Sequence, residues 1–255
     1  MIGEAALVHH DAAVYGCYLA AREQGVRFVL GERVVAGDVT GGRATGVITA
    51  SGETIAGDAI VNAAGGSSAD VARLFGVEVA NAPLRREVLV TEPSKPFMRP
   101  VVTFYRPQEG WFNQTLRGEL VAGVVDVDEP LGMTEDSTPD FLPRTARVLL
   151  SKAPRLAELR VVRQWAGVYD TTPDRRPLIG EYPSLPGLFS LNGWSGRGIL
   201  LAPLASALLA ADMAGEGRDG LLELCDPGRF EGLDAHHAHA GDYYSGYLHP
   251  QGKAP

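Results

Sequence analysis

The stretch "GLFSLNGWSGRGILLAPLASALLAADMAG", residues 187–215, constrains the chain most. An apolar strand runs into three closely spaced glycines, and a long alanine- and leucine-rich helix follows at once. That order puts unpaired N–H groups and the positive end of a helix dipole just beyond the end of a strand. Such a turn brings backbone close to a ligand, and glycine runs ahead of helices often hold phosphate. Its place is unusual, because dinucleotide folds put G-x-G-x-x-G after the first strand of a βαβ unit of about 30 residues. No stretch here fits that fingerprint. "GWSGRG" has another spacing, and "TGGRATG" lies in a hairpin pattern rather than before a helix.

The remaining pattern alternates helices and strands. A helix is expected from an Asp11 N-cap to Gly25, with Val14, Tyr18 and Ala21 recurring at helical spacing. "VRFVL", residues 26–30, reads as a buried strand. Short strands follow, turning at Thr40-Gly41-Gly42 and Ala50-Ser51-Gly52 as a β-meander. "DAIVNAAGG" is a strand over Ala59–Ala63 running into Gly65-Gly66, with a helix expected from Ser68 through Leu74. Residues 83–128 are β-rich, and Pro83, Pro93, Pro96, Pro100 and Pro107 mark edges and turns because proline cannot join a central ladder. "EPLGMTEDSTPDF", residues 129–141, reads as an acidic loop, ahead of a helix over Leu142–Lys152 with Leu142, Ala146, Leu149 and Leu150 on one face. A further strand and turn precede a short strand at Pro177–Ile179. The fold class is α/β with α+β character.

Composition sets the outer limits. The chain has 255 residues, of which 45% are hydrophobic, enough for one large or two modest cored domains. A net charge of −8 argues against a nucleic-acid partner, whose phosphates need clustered Lys and Arg. The apolar run Ile199–Ala211 is shorter than the ~20 residues of a membrane span. The N-terminus has neither a basic segment nor a continuous apolar one, so no secretory signal is read and a cytoplasmic setting is expected. Cys17 and Cys225 make neither a disulfide framework nor a zinc site alone. His9-His10 and His236-His237-His239 lack the spacing of a metal site, so no metal is expected; residues 231–255 are expected to form a flexible tail.

In combination the motifs become recognisable. "GVYDTTPDRRPLIG", then "GLFSLNGWSGRGILLAP" and an alanine-rich helix, resemble the C-terminal signature of the D-amino-acid-oxidase superfamily of flavoenzymes. That group includes glycine oxidase, sarcosine oxidases, and sarcosine or dimethylglycine dehydrogenases. "HHDAAVYGCYLAAREQGVRFVLGERV", "GVITASGETIAGDAIVNAAGGSS" and "PLRREVLVTEP" resemble its middle portion, in the same order, and the similarity covers roughly residues 5–230. Members begin with a Rossmann βαβ that meets the FAD pyrophosphate, and the chain resembles a member without that portion. The resemblance implies the C-terminal part of an FAD-binding α/β domain, residues 1–82 and 161–230, with an inserted antiparallel substrate domain at 83–160.

It also implies site residues. The segment matching "ERVVAGD" passes beside the adenine, which makes Val34 and Val35 cofactor candidates; a pair of buried strand valines is the plainer reading, and the two are compatible. Ala63, Ala64 and Gly65 match the turn under the cofactor, against an ordinary strand-to-helix turn. Gly193, Trp194, Ser195, Gly196, Arg197, Gly198 and Ile199 match a loop lying against the flavin ring, where N–H groups and the helix dipole stabilise negative charge on reduced flavin. The alternative is a helix N-terminus that merely turns tightly. Asp174 falls at the family's usual aspartate and reads as a turn-fixing residue. Arg175 and Arg176 are either carboxylate binders or solvated turn residues. Tyr169 stands near a position where several members hold the substrate carboxylate with arginine, and Leu200 where monomeric sarcosine oxidases carry a lysine that promotes reaction with oxygen. Tyr105 and Trp111, with Phe104 and Asn113, lie on the sheet implied to roof the flavin, although sheet aromatics are more often core. No nucleophile–base arrangement stands out, and flavin amine oxidation needs none.

Two functions follow. One is part of an FAD-dependent oxidoreductase that oxidises the C–N bond of a small amino acid or N-methylated amine, by hydride transfer to flavin N5 and imine hydrolysis. A partner chain carrying the Rossmann unit would then complete the site. The other is a non-catalytic fragment or subunit.

Overall fold

The computed structural model describes residues 8–98, 101–106 and 108–230. The expected tail at 231–255, with His236, His237 and His239, lies outside them. In chain order the elements are α1 (His10–Glu23), β1 (Val34–Thr40), β2 (Arg43–Thr49), β3 (Thr54–Ala56), β4 (Ile60–Asn62), α2 (Ser68–Arg73), β5 (Ala82–Pro93), β6 (Val102–Phe104), β7 (Gly110–Gln114), β8 (Glu119–Val124), α3 (Phe141–Lys152), β9 (Val161–Thr171), β10 (Leu178–Glu181), β11 (Leu188–Asn192), α4 (Gly198–Met213) and α5 (Gly220–Glu223). They fall into two compact units.

The first unit takes the described residues up to Val26, Arg85–Glu129 and Thr134–Val168. Its sheet has the order β6-β7-β8-β5-β9, and β7 pairs antiparallel with β8 from Gly110↔Val124 to Gln114↔Leu120. Alternation sends Phe112, Leu120, Ala122 and Val124 inward, where α3 adds Phe141, Val148 and Leu149. The expected face of α3 is thus turned by part of a turn: Leu142 and Leu150 pack at the edge of the core, and Thr145 takes a central place. Its hydroxyl is fully buried with no hydrogen-bond partner among the described residues. Thr145→Val should therefore stabilise the protein by about 1 kcal/mol, read as a raised urea midpoint, because the isosteric methyl removes an unmet polar group.

The acidic loop after β8 is held rather than solvated. The buried Glu87 carboxylate accepts from the Thr138 N–H (2.5 Å), the Ser137 hydroxyl (3.0 Å) and the Thr138 hydroxyl (3.0 Å), while Arg85 binds Glu129 through both carboxylate oxygens. Like charges in the sequence hid this, because the anchoring partners sit some fifty residues away on β5.

The second unit takes Arg27–Leu84, Pro130–Met133 and the chain from Tyr169. The meander β1-β2-β3 forms as expected, turning at Gly41 (φ 61°) and Gly42 (φ 78°) between Thr40 and Arg43. A second sheet has the order β10-β11-β4, with β11 antiparallel to β10 and parallel to β4. Phe75, Val77, Val79, Leu178, Leu185 and Leu188 form the core that both sheets share with α2. Residues 225–230 pack against this unit: the Ile179 N–H donates to the Cys225 carbonyl (2.8 Å).

Two expectations fail where a covering surface is needed. The 26–30 segment forms no strand, and its Leu30 is 77% exposed. Helix α1 starts two residues early, capped by His9 rather than Asp11, and buries none of its residues; Val14 is 62% exposed. A strand exists only where a neighbour supplies its ladder, and an apolar stripe is buried only where something covers it. Nothing among the described residues does either.

Candidate functional site

Strands β4 and β11 are parallel neighbours, and each ends on an asparagine. In open α/β sheets the region beyond the carboxyl ends of parallel strands is where ligands sit. Asn192 is fully buried, and its Nδ2 donates to the Asn62 carbonyl (2.6 Å) and the Ser190 hydroxyl (3.2 Å). Its Oδ1 accepts from the Gly65 N–H (3.0 Å). Buried Asn62 in turn donates to the Ser68 carbonyl (2.8 Å) and accepts from the Ala64 N–H (3.2 Å). The two asparagines therefore clamp the turn of Ala63, Ala64 and Gly65 to the start of the glycine loop. Ala63 and Ala64 are exposed, Gly65 has φ 55°, and a Cβ there would meet only open space. The turn thus presents bare backbone outward.

The glycine loop is fixed from beneath by Asp170, at the end of β9. The Asp170 carboxylate accepts from the Gly193 N–H (2.7 Å), and the Asp170 carbonyl accepts from the Ser195 N–H (2.9 Å). Gly193 has φ 78°, Ser195 φ 49° and Gly196 φ 84°, so the chain reverses through left-handed conformations that only glycine adopts freely. Bulk is excluded too. A Cβ on Gly193 would stand 2.8 Å from the Thr172 methyl, and one on Gly196 would run into the Tyr169 ring. Ser195 is buried and its hydroxyl has no partner among the described residues. Such strain and an unmet polar group together are a mark of functional loops. Beyond the reversal, the N–H groups of Gly196, Gly198 and Ile199 have no acceptor among the described residues, as expected of the first turn of α4. That turn also leaves Leu200 72% exposed.

The "TTPDRRP" turn closes the third side. Asp174 accepts from the Arg176 N–H (2.9 Å), the Thr172 hydroxyl (3.2 Å) and Arg229 Nε (2.9 Å). Arg175 has φ 59°, and its carbonyl accepts from Arg197 Nη2 (2.8 Å). Arg197 is thus spent on the turn, and its guanidinium braces the loop. Burial pushes the Asp174 carboxyl up, but the hydrogen bonds from Arg229 and Arg176, with the Arg229 charge, hold it below the usual aspartate range. A depressed carboxyl contributes stability that is present above its unfolded value and is lost as pH falls through its folded value. Thermal unfolding followed against pH should therefore show Asp174→Asn melting below the parent at pH 7, with the gap closing below about pH 4. A gap constant down to pH 2 would contradict the Arg229 pairing.

The other sequence candidates lie elsewhere. Val34 and Val35 open β1 on the meander sheet, and Val35 is exposed. Tyr169 belongs with the loop, its ring filling the space over Gly196. Phe104, Tyr105, Trp111 and Asn113 are in the first unit; Phe104 packs against its core, and Trp111 lies over Gly123. Reading the glycines passed over Asn62, Asn192 and Asp170. Their signal was present: an asparagine directly before each small-residue turn, and an acid three residues after a glycine in "GVYD". Among the described residues no helix is long and apolar enough to cross a membrane, and no three His, Cys, Asp or Glu gather as a metal site.

Comparison with known proteins identifies the family. Sarcosine oxidase subunit beta of Rhodobacter capsulatus is 29% identical over 208 residues, which cover 82% of this chain and 49% of that protein. Glycine oxidase of Pseudomonas aeruginosa is 30% identical over 177 residues, covering 69% of this chain and 46% of that protein. The crystal structure of L-proline dehydrogenase from P. horikoshii superposes with a TM-score of 0.81 at 25% identity, covering 86% of this chain and 59% of that one. The chain spans about half the length of the curated relatives it matches. A family model for FAD dependent oxidoreductases, DAO, matches residues 2–212, and the chain belongs to that family.

Proposed function

We propose that this chain forms the flavin-ring side of an FAD-dependent oxidoreductase that oxidises the C–N bond of a small amino acid or N-methylated amine. The observation that carries the reading is the loop from Gly193 to Ile199, with a buried unmet hydroxyl at Ser195 and open N–H groups at Gly196, Gly198 and Ile199. These donors fit the polar edge of an isoalloxazine, and the bare turn at Ala63–Gly65 beside them fits close approach of the same cofactor. FAD, when bound beside Gly193–Ile199 and Ala63–Gly65, would supply the two-electron acceptor for oxidising the substrate C–N bond to an imine, which water would then hydrolyse. The chain's own part is electrostatic and positional. Helix α4 aims its positive end at developing negative charge, and the clamp of Asn62 and Asn192 keeps the two turns in register.

A second polypeptide segment bearing the dinucleotide-binding βαβ unit completes the cofactor site in this reading, with residues 83–160 as the substrate domain and a cytoplasmic location. Three features support it. The α4 start is apolar and uncovered, the 26–30 segment is extended without a ladder, and β4 has a neighbour on one side only among the described residues. The name of the Rhodobacter relative, a subunit, is consistent with a partner chain.

The test is spectroscopic. The purified chain is titrated with FAD, alone and with the product of any adjacent reading frame encoding a G-x-G-x-x-G βαβ unit. Retained visible flavin absorbance after gel filtration is expected in at least the second case. A protein colourless in both would overturn the proposal.

A further inference from the structure

Two N–H groups of the glycine loop end on one residue. Asp170 is buried, its carboxylate takes that of Gly193, and its carbonyl takes that of Ser195, while the Trp194 N–H between them helps to lower the carboxyl's pKa. A loop that turns these donors inward and then reverses at Ser195 and Gly196 turns its next donors the other way. Those are the N–H groups of Gly196, Gly198 and Ile199, which have no acceptor among the described residues. Tyr169, next in the chain to Asp170, fills the space over Gly196, so one strand end sets both the floor and the flank of the reversal. We infer that Asp170 is the positioning residue of this loop: it selects which N–H groups remain to meet the flavin ring and fixes their direction.

Chemistry favours a carboxylate at this place. The Gly193 N–H donates to the side chain and the Trp194 N–H favours its charged form, and a carboxylate offers acceptor oxygens to both. Asparagine offers one acceptor and one amide, and the amide would meet a donor. The cost of the carboxylate is visible, since burial pushes the Asp170 carboxyl up against the lowering effect of the Gly193 and Trp194 N–H groups. A group so placed against its own solvation is held there by its contacts.

The inference rests on the flavin-facing reading above, and the test separates the two. The variants are Asp170→Asn, which preserves shape, and Asp170→Ala. The first measurement needs no cofactor: amide hydrogen exchange in the purified chain. Exchange at Gly193, Trp194 and Ser195 is expected to quicken about tenfold or more in Asp170→Asn, with the cores of both units unchanged. The second is the reduction potential of bound FAD in the protein, together with its complementing polypeptide where that is required. Removing a negative charge would by itself make the potential more positive. Losing aimed N–H donors makes it more negative, and the more negative value is expected, with FAD binding weakened about tenfold. Unchanged exchange, or a potential that moves positive, overturns the positioning role. A parent protein that never takes up FAD overturns the function proposed above and the role toward flavin with it, whereas quickened exchange alone still reports the loop contact.

Discussion

Asn192→Ala should lower the unfolding free energy by about 3 kcal/mol and abolish retention of FAD. The side chain is fully buried and serves three groups: the Asn62 carbonyl, the Ser190 hydroxyl and the Gly65 N–H. Truncation takes one donor from the buried Asn62 carbonyl and the acceptor from the half-buried Gly65 N–H. Each buried orphan costs about 1–3 kcal/mol, far more than the hydrogen bond itself contributed. Urea unfolding at pH 7 gives the number, and a loss under about 0.5 kcal/mol would mean that water replaces the amide. Asn192→Asp separates the two halves of the clamp. It keeps an acceptor for Gly65 but sets a carboxylate oxygen against the Asn62 carbonyl, so it should be at least as damaging as alanine.

This prediction also marks what sequence reading reaches. The turns of the meander were legible because Gly41-Gly42 admit φ values that other residues resist, and α3 because its apolar residues recur at helical spacing. The parallel pairing of β4 with β11 was not, since Leu188↔Ile60 and Ser190↔Asn62 join residues far apart in sequence and no local pattern encodes a parallel neighbour. The asparagine clamp depends on that pairing, so it stayed hidden although both asparagines stood inside the quoted motifs. The glycines were legible as points of close approach. What they approach on the protein side, Thr172 at Gly193 and Tyr169 at Gly196, came only with the fold. Helix α1 and the 26–30 segment mislead for the opposite reason. Their apolar patterns report that a covering surface is wanted, not that the described residues provide it.

The largest stability effect is expected in the first unit, at Arg85. Its guanidinium binds Glu129 through Nε (2.9 Å) and Nη2 (3.1 Å), and Nη1 donates to the Asp136 carbonyl (2.8 Å), so one residue of β5 holds both ends of the 129–136 segment. Glu129 is almost wholly buried. Arg85→Met would strand that carboxylate without a counter-charge, and stranding a buried charge costs about 3–5 kcal/mol. The pair itself is worth much less, because both ions gave up hydration to form it. Hence the double variant Arg85→Met, Glu129→Leu should recover most of the loss, and the coupling from the double-mutant cycle should greatly exceed the ~0–1 kcal/mol of an exposed ion pair. Raising salt should hardly change the Arg85→Met penalty, since the bond is shielded from mobile ions. If the single variant loses under about 1 kcal/mol and the double variant no less, the pair is solvated in solution and the 129–136 segment is not pinned to β5 as its hydrogen bonds require.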